Sequence, residues 1–193
     1  MEMVESIGVK GNITLMTSEE EKRANETIQE YKERIIKEDK VHEISKGNMV
    51  MTLGKNWIAG MMIGESDFYQ CNTNSGLMAF GVGSTAATVS DGSLEQEAWR
   101  VTMTSSSRDA NKSTWSAYMP KTGSGDNAAG SLVPNGSTLR EIGMFVNGKD
   151  GVGSAQTPTF APDTGIMINR ATYAAISKTS NLALTAEVDW TID

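Results

Sequence analysis

Two hydrophobic periods divide the chain. In the densely charged stretch from 18 to 46, Ala24, Ile28, Tyr31 and Ile35 recur at spacings of four, three and four. Glu26, Glu30, Lys32, Glu33, Arg34 and Lys37 fill the rest of that surface. The pattern is an amphipathic helix with a narrow apolar seam, a width that suits a partner helix as well as the helix's own domain. Ser18 followed by Glu21 has the form of a capping box, so the helix is expected to begin there, with Glu19 and Glu20 favouring its positive end. Gly47 and Asn48 break it. Val50, Leu53, Trp57, Ile58, Met61 and Met62 then recur at helical spacing until Gly64, which predicts a second, more buried helix.

From Leu77 onward the period shortens to two, and turn-forming clusters (SDGS, GSGDNAAG, PNGS, NGKDG, APDTG) separate the apolar runs. Strands are predicted over 77–82, 96–105, 113–119, 138–146, 167–176 and 181–192. In the last, Leu182, Leu184, Ala186, Val188, Trp190 and Ile192 alternate with Ala183, Thr185, Glu187, Asp189 and Thr191, the pattern of a half-buried antiparallel strand. The fold class expected is α+β, mainly β: an antiparallel β-sandwich with an N-terminal helical arm and one packed helix. The expected division is a charged helical arm over 1–47 and a helix plus sandwich over 48–193.

Composition adds one qualification. In 193 residues, Leu, Ile, Val and Phe make up just under a fifth, a thin core, while twelve Met residues supply adaptable packing in cores and at interfaces. Homo-oligomerisation through the Ala24/Ile28/Tyr31/Ile35 seam is therefore expected. A net charge of -7 gives no electrostatic reason to approach phosphate backbones, so nucleic acid is not an expected partner. The acidic start MEMVESIGVK lacks the apolar core of a secretory signal, and the longest apolar cluster, 57–63, is far short of a membrane span. No membrane insertion is expected, and synthesis is expected in the cytoplasm.

The candidate chemistry is sparse. One cysteine, Cys71, cannot form an internal disulfide, and one histidine, His42, cannot build a His-rich metal site. The sequence around Gly81-Val82-Gly83-Ser84 completes neither a P-loop nor a dinucleotide fingerprint. A run starting at Asp109 lacks the glycine and the bidentate glutamate of a calcium loop. Glu95 and Glu97, two apart, would share one face of a strand, yet a pair on one strand cannot flank a sugar from both sides. Neither catalytic residues nor a cofactor nor a metal is expected. Glu141 is expected to form a structural ion pair with Arg100 or Arg170, and Trp99, Trp115 and Tyr118 are the aromatics a carbohydrate-binding face would use.

Three segments, in order, carry a resemblance: MAFGVGSTAATVSDGSLEQE at 78–97 with Arg100 opening a strand, LREIGMFVNG at 139–148, and INRATYAAISKTSNLALTAEVDWTI at 168–192. Together they resemble a loose group of small structural proteins of tailed bacterial and archaeal viruses, of the tail-fibre, baseplate or decoration kind. Trp99 stands where a smaller residue is usual in that group, and 121–136 is a long polar insert. The resemblance implies a non-enzymatic virion component, made in the host cytoplasm and placed in the tail, baseplate or fibre apparatus. Its implied partners are copies of itself, other virion proteins and a host-surface glycan. A capsid decoration or head-fibre protein is the alternative within that class, and a carbohydrate-binding module is the alternative outside it.

Overall fold

A computed structural model describes residues 8–66, 71–73, 75–124, 132–149 and 154–192. Its strongest local signal is the last strand, β11 (Ala183–Ile192), in which Leu184, Ala186, Val188 and Trp190 are buried and Glu187, Asp189 and Thr191 are partly exposed. On one side β11 pairs with β1 (Val9–Ser18), and on the other with β6 (Lys112–Met119). Among the described residues the remaining elements are α1 (Ile28–Lys37), β2 (His42–Val50), α2 (Thr52–Met62), β3 (Leu77–Gly81), β4 (Glu97–Thr102), β5 (Ser105–Asp109), β7 (Thr138–Val146), β8 (Gly148–Lys149), β9 (Ala155–Gln156) and β10 (Ile166–Ser177). The protein is mainly β. Nine strands form one antiparallel sheet in the order β4-β3-β7-β10-β2-β1-β11-β6-β5, and β8 and β9 pair separately.

This sheet curls. Its two edge strands, β4 and β5, are consecutive in the chain and separated only by Met103 and Thr104. Met103 N–H donates to Gly76 at 3.3 Å and Thr104 N–H to Ser116 at 2.8 Å, so the chain crosses from one edge to the other within two residues. Only a sheet bent round on itself allows that. The inward residues share one apolar core, with Phe80, Ile142, Met144 and Ile168 from one half and Ile13, Leu15, Ala186 and Val188 from the other. Contact between β2 and β10 is brief, Asn169 with Val50 and Arg170 with Met49, and marks where the halves part.

The second helix lies where the apolar spacing predicts it. Met51 N–H donates to Ile168 at 3.0 Å, and a Cβ at Gly54 would sit 2.3 Å from the Ile168 carbonyl oxygen, so α2 rides directly on the β10 backbone. Any larger residue at Gly54 must lift the helix.

The N-terminal region corrects the sequence reading. No helix starts at Ser18, which ends β1 and accepts a hydrogen bond from Glu20 N–H at 3.0 Å. The helix is capped nine residues later by a second box: Thr27 Oγ1 accepts from Glu30 N–H at 3.2 Å, and the Glu30 carboxylate accepts from Thr27 N–H at 2.8 Å. Residues 9–18 already alternate, with Ile13 and Leu15 inward and Lys10, Asn12 and Thr14 outward, and ten register pairs with β11 outweigh a helix there. Within the expected arm over 1–47 the described residues thus form β1, α1 and β2, both strands belonging to the main sheet, and β2 runs through position 47. Of the seam, Ala24 is exposed before the helix, while Ile28, Tyr31 and Ile35 are buried against Tyr118, Ala183 and Val41 of the same chain. The Tyr31 and Tyr118 rings meet edge to face at 5.5 Å. The seam is consumed by the protein's own sheet. Most of the GSGDNAAG turn lies outside the described residues.

Candidate functional site

Glu141, on β7, is completely buried, and its surroundings explain why a charge is tolerated there. Oε1 accepts from Gly83 N–H at 3.1 Å and Gln96 N–H at 2.8 Å. Oε2 accepts from Glu95 N–H at 3.0 Å and from Arg170 Nε and Nη2 at 3.0 and 2.8 Å. Five donors, three backbone N–H groups and two from the Arg170 guanidinium, satisfy the carboxylate, the condition under which a buried ion pair is sustained. The glycines of Gly81-Val82-Gly83 leave room for it, since a Cβ at either would lie 2.4 to 2.5 Å from Oε1. The motif that looks like a phosphate loop thus cradles a carboxylate of the same chain.

Arg170 extends the network to Asp91, at 2.5 Å, and to the Thr85 carbonyl, at 3.1 Å. Burial opposes ionisation of Asp91, but bonds from Thr88 and Arg170 prevail and hold it below the usual carboxylate range. Thr85 N–H and Oγ1 draw the Glu95 carboxyl downward too. The loop over 82–96 is therefore tied to β7 and β10, and through Val89, which accepts from Thr52 N–H at 2.9 Å, to the start of α2. Arg100 does not reach this network through Glu141. It is bidentate to Glu97, at 2.6 and 2.7 Å, lies over the Phe145 ring at 4.2 Å, and binds the Thr159 and Thr164 carbonyls at 2.9 and 3.0 Å. Glu95 and Glu97 accordingly face different partners: Glu97 opens β4 and binds Arg100, whereas Glu95 precedes the strand and binds Thr85.

His42 is exposed on β2. Cys71 is buried against Met103, 3.7 Å between sulfurs, and burial pushes its thiol well above the ordinary range, which disfavours the reactive thiolate. Trp99, Trp115 and Tyr118 are all buried, at 3%, 7% and 8% exposure, so they form no exposed aromatic platform for a sugar. Tyr118 donates to Glu21 and packs on Tyr31.

Lys178 is a buried cation that sequence reading missed. Its Nζ donates to Asn135 Oδ1 at 2.8 Å and to the carbonyls of Thr179 and Lys121 at 3.0 and 3.1 Å. Burial pushes its pKa down to about 8 from 10.5. Between those values the unfolded chain binds more protons than the folded one, so this group makes stability rise with pH there. Cys71 and the buried tyrosines act in the opposite direction as pH rises, so the comparison must be a difference. The stability of the wild type minus that of Lys178→Met should climb from pH 8 to 10 by roughly 1 kcal/mol per pH unit at most. Urea titrations at stepped pH check this; a flat difference rejects it.

A sizeable apolar feature lies on the surface. Where α2 faces the β5–β6 hairpin lies a groove of about 640 Å³. Trp57, Met61, Trp115 and Trp190 line it, with Ser106 and Arg108 on its polar side. Trp190 meets Trp57 and Trp115 edge to face at 6.4 and 5.7 Å. The Trp115 indole N–H donates to the Cys71 carbonyl at 2.8 Å, whereas those of Trp57 and Trp190 are buried with no partner among the described residues. Met62 and Ile192, which also line the groove, are 76% and 47% exposed, and Ile63, next in the chain after Met62, is 81% exposed. The sequence held one signal for this: the apolar spacing of the second helix runs on through Met61, Met62 and Ile63, further than a half-buried helix requires. No family model matches the chain, and no curated protein or solved structure matches it either.

Proposed function

We propose that this protein is a non-enzymatic structural component of a tailed-virus particle, in the tail, baseplate or fibre apparatus, built as an antiparallel β-sandwich. The observation that carries the reading is the contiguous apolar surface at the end of α2. A soluble chain with a thin core leaves Met62, Ile63 and Ile192 in water beside a tryptophan-lined groove, the mark of a surface that other protein covers. The buried charges support the same reading, because Glu141, Arg170, Arg100 and Lys178 are engaged in tying loops to strands. The sandwich reading takes β2-β1-β11-β6-β5 and β4-β3-β7-β10 as two layers over the common core. Docking falls to the end of α2 rather than to α1, whose apolar seam faces its own sheet.

The test is immunogold labelling of tailed particles from the source culture, with antibody raised against the purified protein. Gold at the tail, baseplate or fibres is expected. Gold confined to the head moves the protein to the capsid-decoration class, and unlabelled particles overturn the proposal.

A further inference from the structure

We infer that the groove between α2 and the β5–β6 hairpin is a self-association surface, in which the Met62–Ile63 knob of one copy enters the groove of a second. The inference rests on reading the protein as an assembly part and goes beyond it by naming the face and its occupant.

Three observations converge on a second copy. The knob and the hole are adjacent on one surface: Met62 both lines the groove and stands at its rim, so a two-fold axis through the rim places each knob over the other copy's groove. The chemistry is also matched. The groove is apolar along Trp57, Trp115 and Trp190, and the knob is two large apolar residues with most of their surface in water. Charge complements it too. Arg108, the cation on the groove wall, is exposed, and its guanidinium bonds to the Ala110 carbonyl at 3.2 Å with no carboxylate partner among the described residues. Glu65 follows the knob directly after the Gly64 turn; it is ion-paired with Lys149 yet 34% exposed, so its carboxylate keeps a face for a second cation. Docking the knob carries Glu65 of one copy toward Arg108 of the other, twice over by symmetry. The knob's position is fixed by the helix ending: Ile63 N–H donates to Ala59 at 3.3 Å and Gly64 N–H to Met61 at 3.2 Å, with Gly64 at φ +70.

Sedimentation velocity of the full chain from low to high micromolar concentration tests this, with thermal melts as a control for folding. The wild type is expected to form a dimer. Met62→Glu is expected to weaken it at least tenfold without lowering the melting temperature measured where both are monomeric. Arg108→Glu is expected to weaken it less, and Glu65→Arg together with Arg108→Glu to recover part of the loss. Oxidation of a mixture of Ile63→Cys and Ser107→Cys proteins is expected to give a cross-linked pair, since Cys71 is buried. A wild type that stays monomeric throughout, or a dimer that Met62→Glu leaves intact, overturns the inference. Monomeric protein that still labels particle tails would sink this inference alone. A groove-dependent dimer absent from particles would sink the proposed function alone.

Discussion

Replacing Glu141 by leucine should cost about 3 to 5 kcal/mol, the range for removing one partner of a buried ion pair, and so consume much of the stability of a domain this size. Arg170 is left with Asp91, whose side chain is only partly buried, as its remaining carboxylate at hydrogen-bond distance. The N–H groups of Gly83, Glu95 and Gln96 lose their acceptor as well. That second loss gives the prediction its specificity. In many proteins a buried ion pair can be exchanged whole for apolar residues at little cost. Here Glu141→Leu with Arg170→Met should remain destabilised, by about 1 to 3 kcal/mol in all, because the backbone donors of the loop still lack their acceptor. Urea denaturation of both variants decides the matter. A double variant as stable as the wild type would mean that the pair only balances its own desolvation and that the loop over 82–96 is held by other contacts.

Trp190→Ala should cost about 3 to 5 kcal/mol, as deletion of a buried aromatic does, while Asp189→Ala beside it should cost about 0 to 1 kcal/mol. Trp190 is 4% exposed and forms the middle of the Trp57-Trp190-Trp115 stack. Asp189 lies on the opposite face of β11, accepting from Thr114 Oγ1 at 2.5 Å and pairing with a half-exposed Lys112 at 2.9 Å. Neighbouring positions in one strand thus differ by several kcal/mol because the side chains alternate between core and solvent. Chemical denaturation of the two variants measures the contrast, and a more damaging change at Asp189 would contradict the register of β1, β11 and β6.

The elements legible in the sequence were those with two unlike faces. Strand β7 matches its expected bounds, β11 and β10 lie within two residues of theirs, and α2 ends before the expected Gly64. What escaped were strands with a weak inner face. In β2, Lys46 and Asn48 occupy the face that Ile44 turns toward the core, where β2 pairs with β1 alone and reaches β10 only at Met49 and Val50, and Gly47-Asn48 then reads as a helix stop. The edge strand β5, Ser105–Asp109, carries no apolar residue at all. β1 does alternate, but the Ser18-to-Glu21 signal masked its end, and only the pairing with β11 decides between the two. The buried network was half legible: Glu141 with Arg170 follows from two charges in apolar strands, whereas Asp91 sits in a turn where aspartate is ordinary. Lys178 gave no signal, since its burial depends on carbonyls brought from residues far away in sequence.

The pairing of β1 with β11 sets Val9 beside Ile192 in the middle of the sheet. During synthesis β1 therefore waits until residues 183–192 have been made before β11 exists, holding Ile13 and Leu15 without the partner that helps bury them. β2 can pair with it early, giving a β1-α1-β2 unit with one open backbone edge. Contacts of such long sequence separation slow folding, and an open edge is a template for another chain's strand. Folding at low temperature, with few chains in reach of one another, is then the condition under which β11 rather than a neighbour's strand fills the gap.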